Sequence, residues 1–116
     1  MALPPEVDTE VRAQLEAWCD LRSPAELRDE MRVEFKVRGN DVTIYERRAP
    51  WHPDVTDWTS APVARLRYDH HGEHWSLLAP TAGERWLKFD DLVEPSPRPA
   101  VLLAVIDADP TGHFWG

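Results

Sequence analysis

The chain has 116 residues, of which 42% are hydrophobic and 29% charged, and its formal net charge at pH 7 is −8. This length fits one domain with its own core, and the composition excludes a chain that is disordered throughout. The acidic excess argues against broad contact with nucleic acid, and the single cysteine, Cys19, excludes an intramolecular disulfide.

The compartment is predicted from similar features. A lone cysteine suits a reducing environment, and the N-terminal residues lack the basic and then apolar run of a signal peptide. No apolar stretch approaches the roughly 20 residues that span a bilayer. We therefore expect a cytoplasmic protein without a membrane segment.

A helical N-terminal part is predicted over about residues 5–30. Val7, Val11 and Leu15 recur at steps of four behind two prolines, which indicates a helix over about 5–21. The capping-box sequence SPAE that begins at Ser23 then predicts a second, short helix or turn.

A sheet is predicted over about residues 31–89. Apolar and charged residues alternate over 31–38, Gly39-Asn40-Asp41 has turn chemistry, and alternation resumes over 42–48, which is typical of an antiparallel hairpin. Three further short strands are expected at 63–68, 74–79 and 85–89, after a proline-rich stretch at 49–62 that we expect to form a loop.

The C-terminal part is predicted to be a helix over about 99–108 with an aromatic tail. Because short turns can join only antiparallel neighbours, the expected fold is α+β, with an antiparallel meander sheet of about five strands and both helices packed on one face. We expect a single domain over residues 1–116. The apolar residues predicted on the covered face are Val33, Phe35, Val37, Ile44, Leu66, Trp75 and Leu87.

Several stretches carry a family resemblance. Residues 34–48 read EFKVRGNDVTIYERR and are followed by Pro50-Trp51, residues 63–68 read VARLRY, and residues 107–116 read DADPTGHFWG. In these stretches the chain resembles an uncharacterised bacterial family catalogued as domain of unknown function 3024. The resemblance implies no activity, because none is established for that family.

A basic and aromatic sheet face is the first candidate site. Residues 31–89 carry eight acidic and nine basic side chains, whereas residues 1–30 carry eight and three. Arginine can hold a phosphate or carboxylate, and an adjacent aromatic ring can stack on a ligand. The alternative is an ordinary solvated face with cross-strand ion pairs to Glu34 and Glu46. The candidate ligand-binding residues are Arg32, Lys36, Arg38, Tyr45, Arg47, Arg65, Arg67 and Trp86.

Other polar clusters do not predict a site. The histidines His70, His71 and His74 flank a glycine turn and have no known metal spacing, so we expect solvated turn residues and no metal. The acidic pairs at 90–91 and at 107 and 109 lie in turns or helix ends, where two carboxylates rarely face one cleft. Without a phosphate-binding loop or a nucleophile motif, we expect no cofactor.

Six tryptophans remain to be explained. Trp18, Trp75 and Trp86 are predicted to pack between helices and sheet, whereas Trp51, Trp58 and Trp115 lie in loop or terminal segments. These three either form an exposed surface for a protein partner or fold back onto a small core.

The sequence therefore favours a non-catalytic binding or interaction module. Its partner is then a small anionic ligand on the sheet or a protein, and we do not expect nucleic acid or a membrane. Two alternatives stay open. One is an enzyme of unrecognised type that acts on an anionic small molecule with Glu34 and Glu46, and the other is a single-stranded nucleic-acid binder that uses the same face.

Overall fold

The computed structural model describes residues 2–81, 85–89, 93–110, 112, 114 and 115. It contains two α-helices, a short 3-10 helix and five strands. In chain order these are α1 (Pro5–Leu21), the 3-10 helix (Ala25–Leu27), β1 (Met31–Arg38), β2 (Asp41–Arg48), β3 (Thr59–Asp69), β4 (His74–Pro80), β5 (Trp86–Lys88) and α2 (Pro99–Ala108).

The strands form one antiparallel sheet in the order β1-β2-β3-β4-β5, which confirms the predicted meander and the α+β fold. β1 and β2 pair along their whole length, from Met31↔Arg48 to Arg38↔Asp41. The hairpin closes through Gly39, whose φ of 60° is the positive value that a type II′ turn needs at its first central position.

β3 begins earlier than the sequence suggested. It starts at Thr59 and includes Pro62, although the prolines of 49–62 had predicted a loop throughout. Pro62 is tolerated because it lies beside a register shift opposite Ile44 and Tyr45, and because β4 pairs only with residues 65–69 of β3. This part of β3 therefore behaves as an edge strand, where proline costs no ladder hydrogen bond on its unpaired side.

The core lies between the helices and one face of the sheet. Helix α1 buries Val11, Leu15, Trp18 and Cys19, and α2 buries Leu102, Leu103 and Ile106. These side chains join the buried residues of β1 to β4 in one apolar cluster, in which Phe35 and Val37 are only partly buried. Both helices thus cover the same face, as the apolar alternation of the strands requires.

Leu87 departs from the predicted core. It is 44% exposed, although its cross-strand partner Ala79 is fully buried. The reason is that β5 is a three-residue edge strand, whereas α2 packs against β3 and β4. The helix layer therefore does not extend over Leu87.

The C-terminal segment folds back on the core. Asp109, at a φ of 44°, accepts hydrogen bonds from the backbone N–H groups of Phe114 (3.1 Å) and Trp115 (3.0 Å). Phe114 is buried, and Trp115 stacks on Trp18 with a centroid distance of 6.2 Å. Residues 113 and 116 of the predicted aromatic tail lie outside the described residues.

Candidate anion-binding face

The uncovered side of the sheet, called the open face below, holds all eight candidate residues. Strand alternation and register give the rows Lys36↔Thr43↔Arg65 and Arg38↔Asp41↔Arg67, and Trp86 joins them from β5 opposite Pro80. Arg32 and Arg47 form a third row, and Tyr45 lies opposite Glu34. Their shared face follows from the period of two along each strand.

Arg65 on the open face is held by two neighbouring side chains, Thr43 and Trp86. Its Nε donates to Thr43 Oγ1 at 2.9 Å, and its guanidinium carbon lies 4.2 Å from the centroid of the Trp86 ring. One guanidinium nitrogen also lies 3.8 Å from Asp41 Oδ2. A hydrogen bond on one side and an aromatic ring on the other restrict the rotamers of Arg65, so less entropy is lost when it binds an anion.

Leu78 is a buried neighbour of Arg65 in the sheet. It lies on the open face between Arg65 of β3 and Lys88 of β5, yet it is only 3% exposed and is not part of the helix-covered core. Its side chain is therefore covered although no described helix lies over this face. The stack of Arg65 and Trp86 thus serves packing as well as charge.

Asp41 organises two arginines at once. Its Oδ1 accepts from Arg67 Nε at 2.8 Å, and its Oδ2 accepts from the second guanidinium nitrogen at 3.2 Å. This hydrogen-bonded contact raises the pKa of Arg67 above its ordinary value. With Arg65 also near, one carboxylate faces two guanidinium groups, and the cluster keeps a net positive charge.

A groove of about 660 Å³ opens beside this cluster. Its charged and polar lining comes from Lys36, Arg38, Asp41, Thr43, Tyr45 and Arg65. The Lys36 ammonium lies 5.7 Å from the centroid of the Tyr45 ring. Within the described part of the chain, neither Lys36 nor Arg38 forms an ion pair, so their charges are available to a ligand.

A second cation cluster lies at the other end of the face. The guanidinium carbon of Arg32 lies 4.6 Å from the Trp58 ring centroid and that of Arg47 lies 5.9 Å from it. Arg47 also pairs with Glu34 at 3.5 Å. Sequence reasoning missed Trp58 as a member of this face, because the proline-rich stretch before β3 hid its register.

The two carboxylates of the enzyme hypothesis lie on opposite faces. Glu34 lies on the open face, whereas Glu46 is the cross-strand partner of Val33 on the helix side and pairs with Arg48 at 2.6 Å. Two carboxylates can act together only in one cleft, so this acid and base pair does not form.

The C-terminal aspartates diverge as well. Asp107 accepts from Trp18 Nε1 at 3.3 Å and pairs with Arg22, whereas Asp109 caps the tail backbone. The acidic pair at 90–91 lies outside the described residues.

The histidines at the β3–β4 turn pack against neighbouring side chains of the chain itself. His70 packs edge-on against Tyr68, with a centroid distance of 5.3 Å, and His74 Nε2 lies 3.9 Å from Asp69 Oδ2. His70 Nε2 and His74 Nδ1 are screened from solvent and have no hydrogen-bond partner within the described residues, and both histidines line a groove of about 590 Å³. Across residues 2–81, 85–89 and the described C-terminal part, no group of three His, Cys, Asp or Glu side chains could hold a metal ion.

Cys19 has the environment of a core residue. It is 6% exposed, and burial, followed by the charge of Asp20, raises the pKa of its thiol to about 12. A thiol of this kind is a poor nucleophile at neutral pH.

The tryptophans divide into three groups. Trp18 and Trp75 are buried in the core as predicted, whereas Trp86 lies on the open face rather than between helices and sheet. Trp115 packs on the core residue Trp18, as the fold-back alternative requires, whereas Trp58 packs against two arginines of the open face. Trp51 is 85% exposed and contacts the ring of His52, so it alone among the three loop and terminal tryptophans keeps a largely open surface.

Comparison of the sequence with known proteins identifies its family. None of the described helices is long and apolar enough to cross a membrane. No curated protein and no solved structure matches the chain. The family model described as Domain of unknown function (DUF3024) matches residues 4–116, which is nearly the whole sequence, and the chain therefore belongs to that family.

Proposed function

We propose that the protein is a single-domain, non-catalytic binding module whose groove on the open face takes a small molecule with a phosphate or carboxylate group. The observation that carries this proposal is Arg65, which Thr43 and Trp86 hold in place at the wall of a groove of about 660 Å³. A preorganised guanidinium beside an open volume is the arrangement that binds an oxyanion at low entropic cost.

The charge around the groove supports a multiply charged ligand. Lys36 and Arg38 add two exposed cations that carry no ion pair within the described residues, while Asp41 neutralises only part of the charge of Arg65 and Arg67. Tyr45 offers an aromatic wall against which an apolar or ring portion of the ligand can pack.

A small anion is favoured over a polymer. The whole chain carries a net charge of −8, which repels a long polyanion at distances where a small ligand feels mainly its local site. We place the module in the cytoplasm of a bacterium, and the unpaired, buried thiol of Cys19 supports such a reducing compartment.

The experiment is a thermal-shift series with inorganic phosphate, pyrophosphate, ATP, citrate and a short single-stranded oligonucleotide. A ligand at 100 times its Kd stabilises the folded state by about 2.7 kcal/mol, a readily measured rise in the melting temperature. We expect at least one small anion to raise it, and the double variant Lys36→Gln/Arg38→Gln to abolish most of the rise.

The matched control is Arg12→Gln/Arg98→Gln, which removes the same charge from residues outside the open face. We expect this control to keep the ligand effect. An equal loss in both double variants contradicts a groove site and indicates an effect of net charge alone. A larger rise with the oligonucleotide than with any small anion supports nucleic-acid binding instead, and chemical turnover of a bound anion contradicts the non-catalytic assignment.

A further inference from the structure

The outer edge of β1 carries a second, independent feature. β1 is the first strand of the sheet and pairs only with β2 among the described strands. In a two-residue hairpin, Arg38 and Asp41 exchange ladder hydrogen bonds, so residues 32, 34, 36 and 38 direct their backbone groups toward β2. Met31, Val33, Phe35 and Val37 therefore direct theirs outward.

Ser23 already contacts the outward backbone groups of Val33. The Val33 N–H donates to Ser23 Oγ at 2.9 Å, and the Ser23 hydroxyl lies 3.4 Å from the Val33 carbonyl oxygen, to which it donates. These contacts confirm the outward direction of Val33. In the described part of the chain no such partner meets the backbone of Phe35 or Val37, so a short piece of sheet edge is unpaired.

A groove of about 470 Å³ lies between this edge and α1. The helix side contributes Glu16, Cys19 and Asp20, and the strand side contributes Val33, Glu34 and Phe35. The lining is thus acidic over an apolar floor. Asp20 is partly balanced by Arg28 at 3.7 Å, whereas Glu16 has no ion pair within the described residues.

A second copy of the chain fits this edge poorly. With Val33 occupied by Ser23, two antiparallel β1 edges can pair only through Phe35 and Val37, which puts the two-fold axis at Lys36. Lys36 of each copy then lies directly opposite Lys36 of the other, and like charges in that position destabilise the pairing. A pairing centred on Phe35 requires Val33 to give up both contacts with Ser23.

We infer that the β1 edge and the α1 groove together accept an extended peptide segment with a lysine or arginine opposite Phe35. A residue paired with Phe35 directs its side chain to the same side as Phe35, toward α1. Its aliphatic stem packs on Phe35, and its cationic head reaches the carboxylates of Glu16 and Asp20. This site is separate from the anion groove on the open face.

The test uses the full chain and a capped peptide of sequence TVKVT. Backbone hydrogen exchange measured by NMR is expected to slow at the amides of Phe35 and Val37 when the peptide is added. The acidic twin TVEVT is expected to bind at least about threefold more weakly, and TVKVT with an N-methylated central lysine about fivefold more weakly, because it lacks one backbone donor.

Two charge reversals provide the matched variants. Glu16→Lys changes an exposed, unpaired residue of the groove and is expected to weaken TVKVT binding about threefold or more. Glu94→Lys makes the same change at an exposed position far along the chain and is expected to leave binding unchanged.

Equal binding of TVKVT and TVEVT overturns the charge assignment. Peptide-induced changes confined to Lys36, Tyr45 and Arg65 overturn the edge assignment and place the peptide in the anion groove. Protection of Phe35 and Val37 that grows with protein concentration in the absence of peptide shows that a second copy is the occupant.

Discussion

Replacing Ser23 by alanine is expected to destabilise the fold through one lost hydroxyl. Ser23 is 6% exposed and Val33 is 4% exposed, and the Ser23 hydroxyl meets both the N–H and the carbonyl of Val33. Alanine leaves the buried Val33 N–H without a partner, which costs about 1–3 kcal/mol. For a domain of this size, each kcal/mol lowers the melting temperature by about 3–6 °C.

The assay is urea unfolding of the wild type, Ser23→Ala and a control, Ser76→Ala. Ser76 is similarly buried at 5% exposure, but its hydroxyl makes no hydrogen bond within the described residues, so its loss should cost below about 0.5 kcal/mol. We expect Ser23→Ala to lose at least twice as much unfolding free energy as Ser76→Ala. Equal losses in the two variants would refute the role given to the Ser23 hydroxyl.

Three further predictions follow from individual contacts. Asp41→Asn should lower the unfolding free energy by about 1–2 kcal/mol in urea titrations, because Asp41 accepts two hydrogen bonds from Arg67. Glu34→Gln should lower it by less than about 0.5 kcal/mol, because the one contact of Glu34 with Arg47 is long and exposed. Similar losses in the two variants would contradict this ranking. Cys19 should not react with a thiol reagent at pH 8 until the chain is unfolded in guanidinium, because burial raises its pKa to about 12, and rapid labelling of the folded protein would show that the thiol is accessible. The pKa of Asp69 lies below its ordinary value because the backbone N–H groups of Gly72 and His71 donate to its carboxylate, so this group stabilises the fold at neutral pH and the contribution is lost as the pH falls through the folded-state pKa. Asp69→Asn should therefore lose less stability than the wild type on acidification, and parallel acid unfolding curves would contradict that assignment.

The sequence predicted the architecture where one physical rule dominates. Alternation over β1 and β2, with turn chemistry between them, determines which residues share the open face, and Arg32, Lys36 and Tyr45 lie on that face. The steps of four in α1 likewise indicated that Val11 and Leu15 are buried.

The contacts that organise the site depend on register between distant segments, which the sequence does not reveal. Asp41 meets Arg67 only because β2 and β3 pair with one particular register across a long connection. Trp58 reaches Arg32 for the same reason, and Ser23 reaches Val33 only through the path of the chain after α1. Leu87 was assigned to the core by alternation alone, which does not show how far a helix extends over a sheet.

An NMR titration with pyrophosphate is the sharpest test of a preorganised anion site at Arg65. With such a site, we expect the arginine Nε–Hε signal of Arg65 and the amide signals of residues 36–45 to shift together and saturate with one Kd, and Lys36→Gln/Arg38→Gln to weaken that Kd. Saturating shifts confined to α1 and α2, or the absence of shifts on the open face up to millimolar pyrophosphate, would contradict it.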